Sequence, residues 1–305
     1  MAPIPMTEPT ALVFPGQGSQ RPGMAAPWRD DPAFALWGRA DELLGRNVTR
    51  LGLDAGADEL REPVNCQVAL FVHHAVMTQA WQRTGRRPAA VAGHSLGEYS
   101  ALLAAGVVSF ADALWLVDAR ARATQAAANA APGGMVACLG HDTEAVAAAC
   151  REAGAHVAND NAEGQVVVAG SHEALGGVVR LLAGRSGRVV PLQVGAAYHS
   201  PHMAAAVPAF SRAVRRASFA PTRVPVVANV DARPHTDSAD WPALLTDQLT
   251  APVRWRETVM TLTAMGVTTV VELGASPVLT GLVKRVAPET ARTTVSAPDH
   301  LAVAA

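Results

Sequence analysis

The chain has 305 residues, 50% of them hydrophobic and 17% charged, with a formal net charge of −1. Such a composition buries a substantial core in one large domain or two modest ones and excludes intrinsic disorder. The near balance of 25 basic and 26 acidic residues argues against a dedicated nucleic-acid binder, which carries a basic excess.

Residues 1–9 read as a flexible tail. Ala11 to Phe14 is a short apolar run ended by Pro15 and Gly16, a buried strand entering a tight turn. Across 65–82, Val68, Phe71, Val72, Ala75 and Val76 follow the spacing of one apolar helical face, which leaves His73 and His74 off the stripe. Residues 88–93 form a second buried strand, followed at once by a helical stretch over 97–105. Ser109 and Asp112 make a variant capping box that opens a helix to about residue 129. Strands at 135–139, 156–158, 165–169 and 188–194 then enclose helices at 143–153 and 172–183. That is the β-α-β-β-α-β order of a ferredoxin-like unit. Helices at 208–217, 255–265 and 277–286 and strands at 224–229 and 268–272 complete the chain. The expected class is α/β: a larger α/β-hydrolase-like domain from 1–130 and 197–305, with a ferredoxin-like small subdomain at 131–196. A cleft between two such parts is a common ligand site.

The three cysteines, Cys66, Cys138 and Cys150, form no C-x-x-C pair and no even-numbered framework, which fits reduced thiols in the cytoplasm. The first ten residues lack the basic and apolar regions of a secretory signal, and no apolar run reaches the length of a membrane span. Lys284 is the only lysine and follows no glycine-rich loop, which excludes P-loop nucleotide chemistry.

Gly93-His94-Ser95-Leu96-Gly97 matches G-x-S-x-G between a buried strand and a helix, the setting of a nucleophile elbow; an ordinary glycine-bracketed turn is the plainer reading. A serine hydroxyl needs a nearby base. His94 adjoins Ser95 and should point elsewhere. His199 closes the inserted unit at the mouth of the inferred cleft, as a base or as a satisfied structural histidine. His199 and His202 have a loose metal spacing but lack a third ligand, so no metal site is expected. Arg120 falls on the apolar stripe with Ala113, Leu116 and Val117, whereas Arg122 suits an exposed pair with Asp118. An inward guanidinium needs a carboxylate, either a protein acid or one carried by a substrate.

Phe14-Pro-Gly-Gln-Gly-Ser-Gln20, Gly93 to Gly97, Arg120, Val157-Ala-Asn-Asp-Asn161 with Gly164 to Gly170, Tyr198-His-Ser-Pro201, Gln248-Leu-Thr-Ala-Pro-Val-Arg-Trp255 and Glu272 to Val283 occur in this order. Together they resemble the malonyl-CoA:acyl-carrier-protein transacylases and the free-standing acyltransferases of polyketide synthases. The resemblance runs from about residue 11 to 286. It implies Ser95 as nucleophile and His199 as base, the latter oriented by the backbone carbonyl of Gln248. It further implies an oxyanion hole from the N–H groups of Gln17 and Leu96, Arg120 as the clamp on the malonyl carboxylate, and Gln67, Asn161 and Tyr198 lining the substrate site. It implies malonyl-CoA as substrate, an acyl carrier protein as partner and no metal, nucleotide or redox cofactor. No nucleic acid or membrane partner follows from it, and a monomer is compatible with it.

Two departures bear on the acyl group. The family's malonyl enzymes read Arg-Gly-x-x-Met at the clamp helix, where this chain has Arg120-Ala-Arg-Ala-Thr124, so the pocket shape is left open. Ala196-Ala-Tyr-His199 is nearer to the malonyl-type His-Ala-Phe-His than to the methylmalonyl-type Tyr-Ala-Ser-His. The Tyr198 ring would occupy the space of an α-methyl, a discrimination of about 1–3 kcal/mol. Transfer of methylmalonyl or a longer chain, an editing hydrolase of the same fold and a non-catalytic docking module are the competing readings. The arginines near 185–188 and 212–216 and the basic pair at 284–285 are the expected places for a carrier-docking patch.

Overall fold

A computed structural model describes residues 8–303. Of the expected tail, residues 1–7 lie outside the described residues. Glu8 and Pro9 already belong to the fold, because Glu8 accepts from Thr269 Oγ1 and the Pro9 carbonyl accepts from Thr268 N. Among the described residues, ten strands form two sheets: β1 (Thr10–Phe14), β2 (Ala90–Gly93), β3 (Gly134–Leu139), β4 (His156–Ala162), β5 (Gln165–Gly170), β6 (Arg188–Pro191), β7 (Val226–Val227), β8 (Pro234–His235), β9 (Thr269–Leu273) and β10 (Ala291–Val295).

The larger sheet has the order β10-β9-β1-β2-β7-β8 and is parallel except for β8. Its central strands are apolar on both faces because both faces are covered, as parallel sheets require. Leu12 and Phe14 of β1 enter the core that surrounds the helix Pro63–Gln82, while Ala11 and Val13 face Trp255, Val259 and Leu279 on the other side. The helix Pro63–Gln82 departs from the single-face expectation. Residues 66–78 are buried without interruption, including His73 and His74, because the helices Ala35–Leu44, Val48–Leu53 and Phe110–Ala130 close its outer side.

The smaller sheet has the order β4-β5-β3-β6 and is antiparallel throughout, the ferredoxin-like arrangement. The helices Thr143–Ala153 and His172–Leu182 pack Val146, Cys150 and Val178 against Val136, Cys138, Val166 and Val168. Their N-termini are capped by Asp142 and Ser171. β4 runs four residues beyond expectation, and its extension reaches the larger body. Asp160 N donates to Val253 O at 3.0 Å, Val253 N donates to Ala158 O at 2.9 Å, and Arg256 pairs with Asp160 at 2.7 Å. β6 stops at Pro191, so 192–194 is loop rather than strand.

Candidate active site

The site forms where β1 and β2 end side by side. Gly93 and Gly97 are required here by proximity. A Cβ on Gly93 would lie 1.9 Å from the carbonyl carbon of Gly97, and one on Gly97 would lie 1.9 Å from Phe14 O. The left-handed conformation falls instead on the serine itself, with Ser95 at φ 54°. His199 has φ 55°, and Ala232 is the only other non-glycine residue with positive φ among the described residues. A side chain in this region is strained by about 1–2 kcal/mol, and such strain concentrates at functional sites.

Ser95 Oγ and His199 Nε2 are 2.7 Å apart. The other ring nitrogen, Nδ1, is 2.9 Å from the Gln248 carbonyl oxygen. A carbonyl only accepts, so Nδ1 carries the proton and Nε2 is left to accept from the serine. Burial, reinforced by the nearby Arg120 cation, pushes the His199 pKa down to about 3, which keeps the imidazole neutral with Nε2 free to accept. Neither Gln17 N nor Leu96 N is taken by a protein acceptor among the described residues, whereas Ser95 N donates to Asn229 Oδ1 at 2.7 Å. Two backbone donors are therefore free beside the hydroxyl.

Of the two alternatives for Arg120, the paired protein acid is not found among the described residues. Arg120 is nonetheless only 2% exposed. Its Nη1 donates to Gln67 Oε1 at 2.7 Å, and its Nη2 donates to Ser95 Oγ at 3.1 Å and to Gln248 Oε1 at 3.2 Å. Its Nε has no partner. A buried cation held by neutral acceptors, one of them the nucleophile, is arranged to receive an external anion. Arg122 pairs with Asp118 at 2.7 Å on the outer face, as its spacing predicts.

Ser95, His199 and Arg120 line one cavity of about 110 Å³ with Gln17, His94, Met135, Asn159, Leu192, Val194 and Tyr198. A second cavity of about 290 Å³ adjoins it, sharing Gln17, Val194 and Tyr198 and adding Arg61, Glu62, Gln125 and Gln193. Gln67 sits behind Arg120 rather than in the cavity wall. Asn161 is likewise turned away from it: its Oδ1 meets His94 Nε2 at 2.8 Å, and the asparagine that lines the cavity is Asn159. Thr124 bonds back to the carbonyls of Arg120 and Ala121, and the methionine of the cavity is Met135 from β3. Of the basic stretches, Arg188 leads through β6 into the cavity-lining segment 192–194. Arg216 lies in a groove beside Trp115, and Lys284 lies with Arg292 and His300.

Sequence reasoning did not single out Glu98 or Asn229. Glu98 is fully buried; burial raises its pKa to about 7, against the lowering effect of the Asn229 and Gln248 N–H donors. Asn229 Nδ2 donates to Gly93 O at 2.6 Å, so this side chain grips both sides of the elbow. The available signal was an acid one residue past G-x-S-x-G in an otherwise small and apolar helix. Cys66, Cys138 and Cys150 are free and buried, and burial raises their pKa values to about 12, 11 and 12. Among the described residues no helix is long and apolar enough to cross a membrane, and no group of three His, Cys, Asp or Glu side chains is arranged around a metal position.

A serine–histidine pair at a strand–turn–helix elbow, with free backbone donors nearby and a cation that pairs directly with no acid in the same cavity, is equipped for acyl transfer through a covalent ester. The family model for the acyl transferase domain matches residues 11–299. The malonyl CoA-acyl carrier protein transacylase of Salmonella typhimurium is 37% identical over 303 residues, covering 96% of this chain and 98% of the relative. A polyketide biosynthesis malonyl CoA-acyl carrier protein transacylase of Bacillus subtilis is 36% identical over 280 residues, covering 90% and 96%. A solved structure of a malonyl-transacylase in complex with its type II polyketide synthase acyl-carrier protein superimposes with a TM-score of 0.93 at 34% identity, covering 97% of this chain and 98% of the other. The chain belongs to the acyl transferase domain family.

Proposed function

We propose that this protein moves a malonyl group from malonyl-CoA to the phosphopantetheine thiol of an acyl carrier protein, in fatty-acid or polyketide biosynthesis in the cytoplasm. Ser95 Oγ attacks the thioester carbonyl as His199 Nε2 takes its proton. The oxyanion is received by the N–H groups of Gln17 and Leu96, each such donor being worth about 100- to 1000-fold in rate. The C–S bond breaks, His199 returns the proton to the sulfur, and CoA leaves. The carrier thiol then repeats the sequence on the malonyl-serine ester. Arg120 holds the distal carboxylate throughout, and Tyr198 closes the space beside it. No metal, nucleotide or redox cofactor takes part.

The observation that carries this reading is Arg120 Nη2 lying 3.1 Å from the serine oxygen with no acid paired to the guanidinium among the described residues. The test is intact-protein mass after mixing with malonyl-CoA, followed by addition of holo carrier protein. A malonyl adduct that is absent in Ser95→Ala and passes to the carrier is expected. Free malonate with no acylated carrier would instead identify a hydrolase.

A further inference from the structure

Gln248 touches His199, Arg120 and the backbone of Ser95. Its backbone carbonyl holds His199, its Oε1 accepts from Arg120, and its Nε2 donates to Ser95 O at 3.0 Å. An amide can be turned over. Exchanging Oε1 and Nε2 would set an N–H2 against the guanidinium and an oxygen against the Ser95 carbonyl. Glu98 stands at the far side of this amide. Its Oε2 accepts from Gln248 Nε2 and its Oε1 accepts from Asn229 N at 2.7 Å. Both Glu98 oxygens accept here, so the nitrogen end of the amide faces the acid; Arg120, which only donates, and the Ser95 carbonyl, which only accepts, favour the same orientation. Cation, amide and anion thus lie in a row, with every hydrogen bond directed toward the acid. The acid faces Arg120 across one side chain rather than pairing with it directly, and Arg120 Nε is left without a partner.

We propose that Glu98 is a positioning residue: by fixing which way the Gln248 amide points, it aims Arg120 at the acyl carboxylate without occupying it as an ion-pair partner. This rests on the reading of Arg120 given above. The experiment compares two rates per folded active site. One is single-turnover acylation by malonyl-CoA. The other is inactivation by phenylmethylsulfonyl fluoride, an uncharged reagent that requires Ser95 and His199 but no cation.

E98Q keeps the volume but has one acceptor where the carboxylate has two: with its oxygen on Asn229 N it sets an N–H2 against Gln248 Nε2, and the amide is either pushed off Arg120 or turned over to set a donor against it. E98M keeps the bulk and imposes no polarity. Malonyl acylation of E98Q should fall about 10- to 100-fold more than its inactivation rate. E98M, chemically the less conservative change, should show the smaller malonyl-specific loss. Asn229→Ala loosens Ser95 but does not touch Arg120, so it should lower both rates by one common factor. Equal loss of both rates in E98Q, or a malonyl-specific loss in E98M as large as in E98Q, overturns the proposal. Failure of the unsubstituted chain to accept malonyl would overturn the function reading instead, leaving the two distinguishable.

Discussion

Arg120→Met keeps the side-chain stem in the core and removes only the guanidinium. Two consequences of different size follow. In the free protein, Gln67 Oε1 and Gln248 Oε1 each lose a donor. An orphaned buried acceptor costs about 1–3 kcal/mol, but the chain no longer buries a cation with an unpartnered Nε, so the net change in stability should be small. In the acyl-enzyme, a substrate carboxylate would be left buried and unpaired, a loss of about 3–5 kcal/mol. At 1.4 kcal/mol per factor of ten, malonyl acylation should slow at least about 100-fold. Inactivation by phenylmethylsulfonyl fluoride should slow less than malonyl acylation, by no more than the loss of one charge-assisted hydrogen bond to Ser95 Oγ, about 10- to 100-fold. Stopped single-turnover reactions read by intact mass give the first rate, loss of activity against time gives the second, and a thermal melt gives the stability. Malonyl acylation within about threefold of the parent, with the melt unchanged, would refute the assignment of Arg120 to the carboxylate.

Gly97→Ala places a methyl 1.9 Å from Phe14 O, and backbone must move. Its destabilisation should reach the upper end of the about 1–3 kcal/mol typical of overpacking, and denaturant midpoints test this. His73 has no partner for either ring nitrogen, and burial lowers its pKa to about 3. Its proton is bound more tightly in the unfolded chain, so stability is full above the ordinary imidazole pKa and falls as pH drops below it. His73→Leu should recover about 2 kcal/mol of that loss at about pH 5, and an unchanged acid slope in melts would contradict it. With the His199 pKa near 3, inactivation by the uncharged reagent should stay level from about pH 8 to pH 5. A fall centred on the ordinary imidazole range would show that His199 is more solvated than its burial implies.

The elements with strong local grammar were legible in the sequence. The cap at Ser109, the alternating βαββαβ rhythm and the apolar run at Ala11–Phe14 all form near the expected bounds. The helices Ala35–Leu44 and Val48–Leu53 were not, because glycine and charge interrupt their faces and neighbouring helices supply the burial that completes them. β10 pairs with β9 only after the chain returns to the sheet edge, a partner that no local pattern in 291–295 announces. At the site, the spacing of Arg120 on the apolar stripe revealed a buried cation. What it left undecided was the missing acid, since the absence of a partner is a three-dimensional fact. Glu98 and Asn229 escaped for the converse reason: they act on Ser95 through the backbone and through Gln248, and their roles lie in hydrogen-bond direction rather than residue type.

The register of β1 on β2, with Phe14 opposite Gly93, fixes the Gln17 loop against the Leu96 turn. These loops leave adjacent strands that are separated by most of a hundred residues of chain. A slip of one residue would carry one of the two proposed oxyanion donors about 3.3 Å from the other, farther than a hydrogen bond spans, and would also invert the buried faces of the strand. Turnover in this enzyme is therefore a sensitive gauge of correct strand alignment. A preparation that has condensed into the wrong pairing should be silent in catalysis while still resembling the native protein in secondary-structure content.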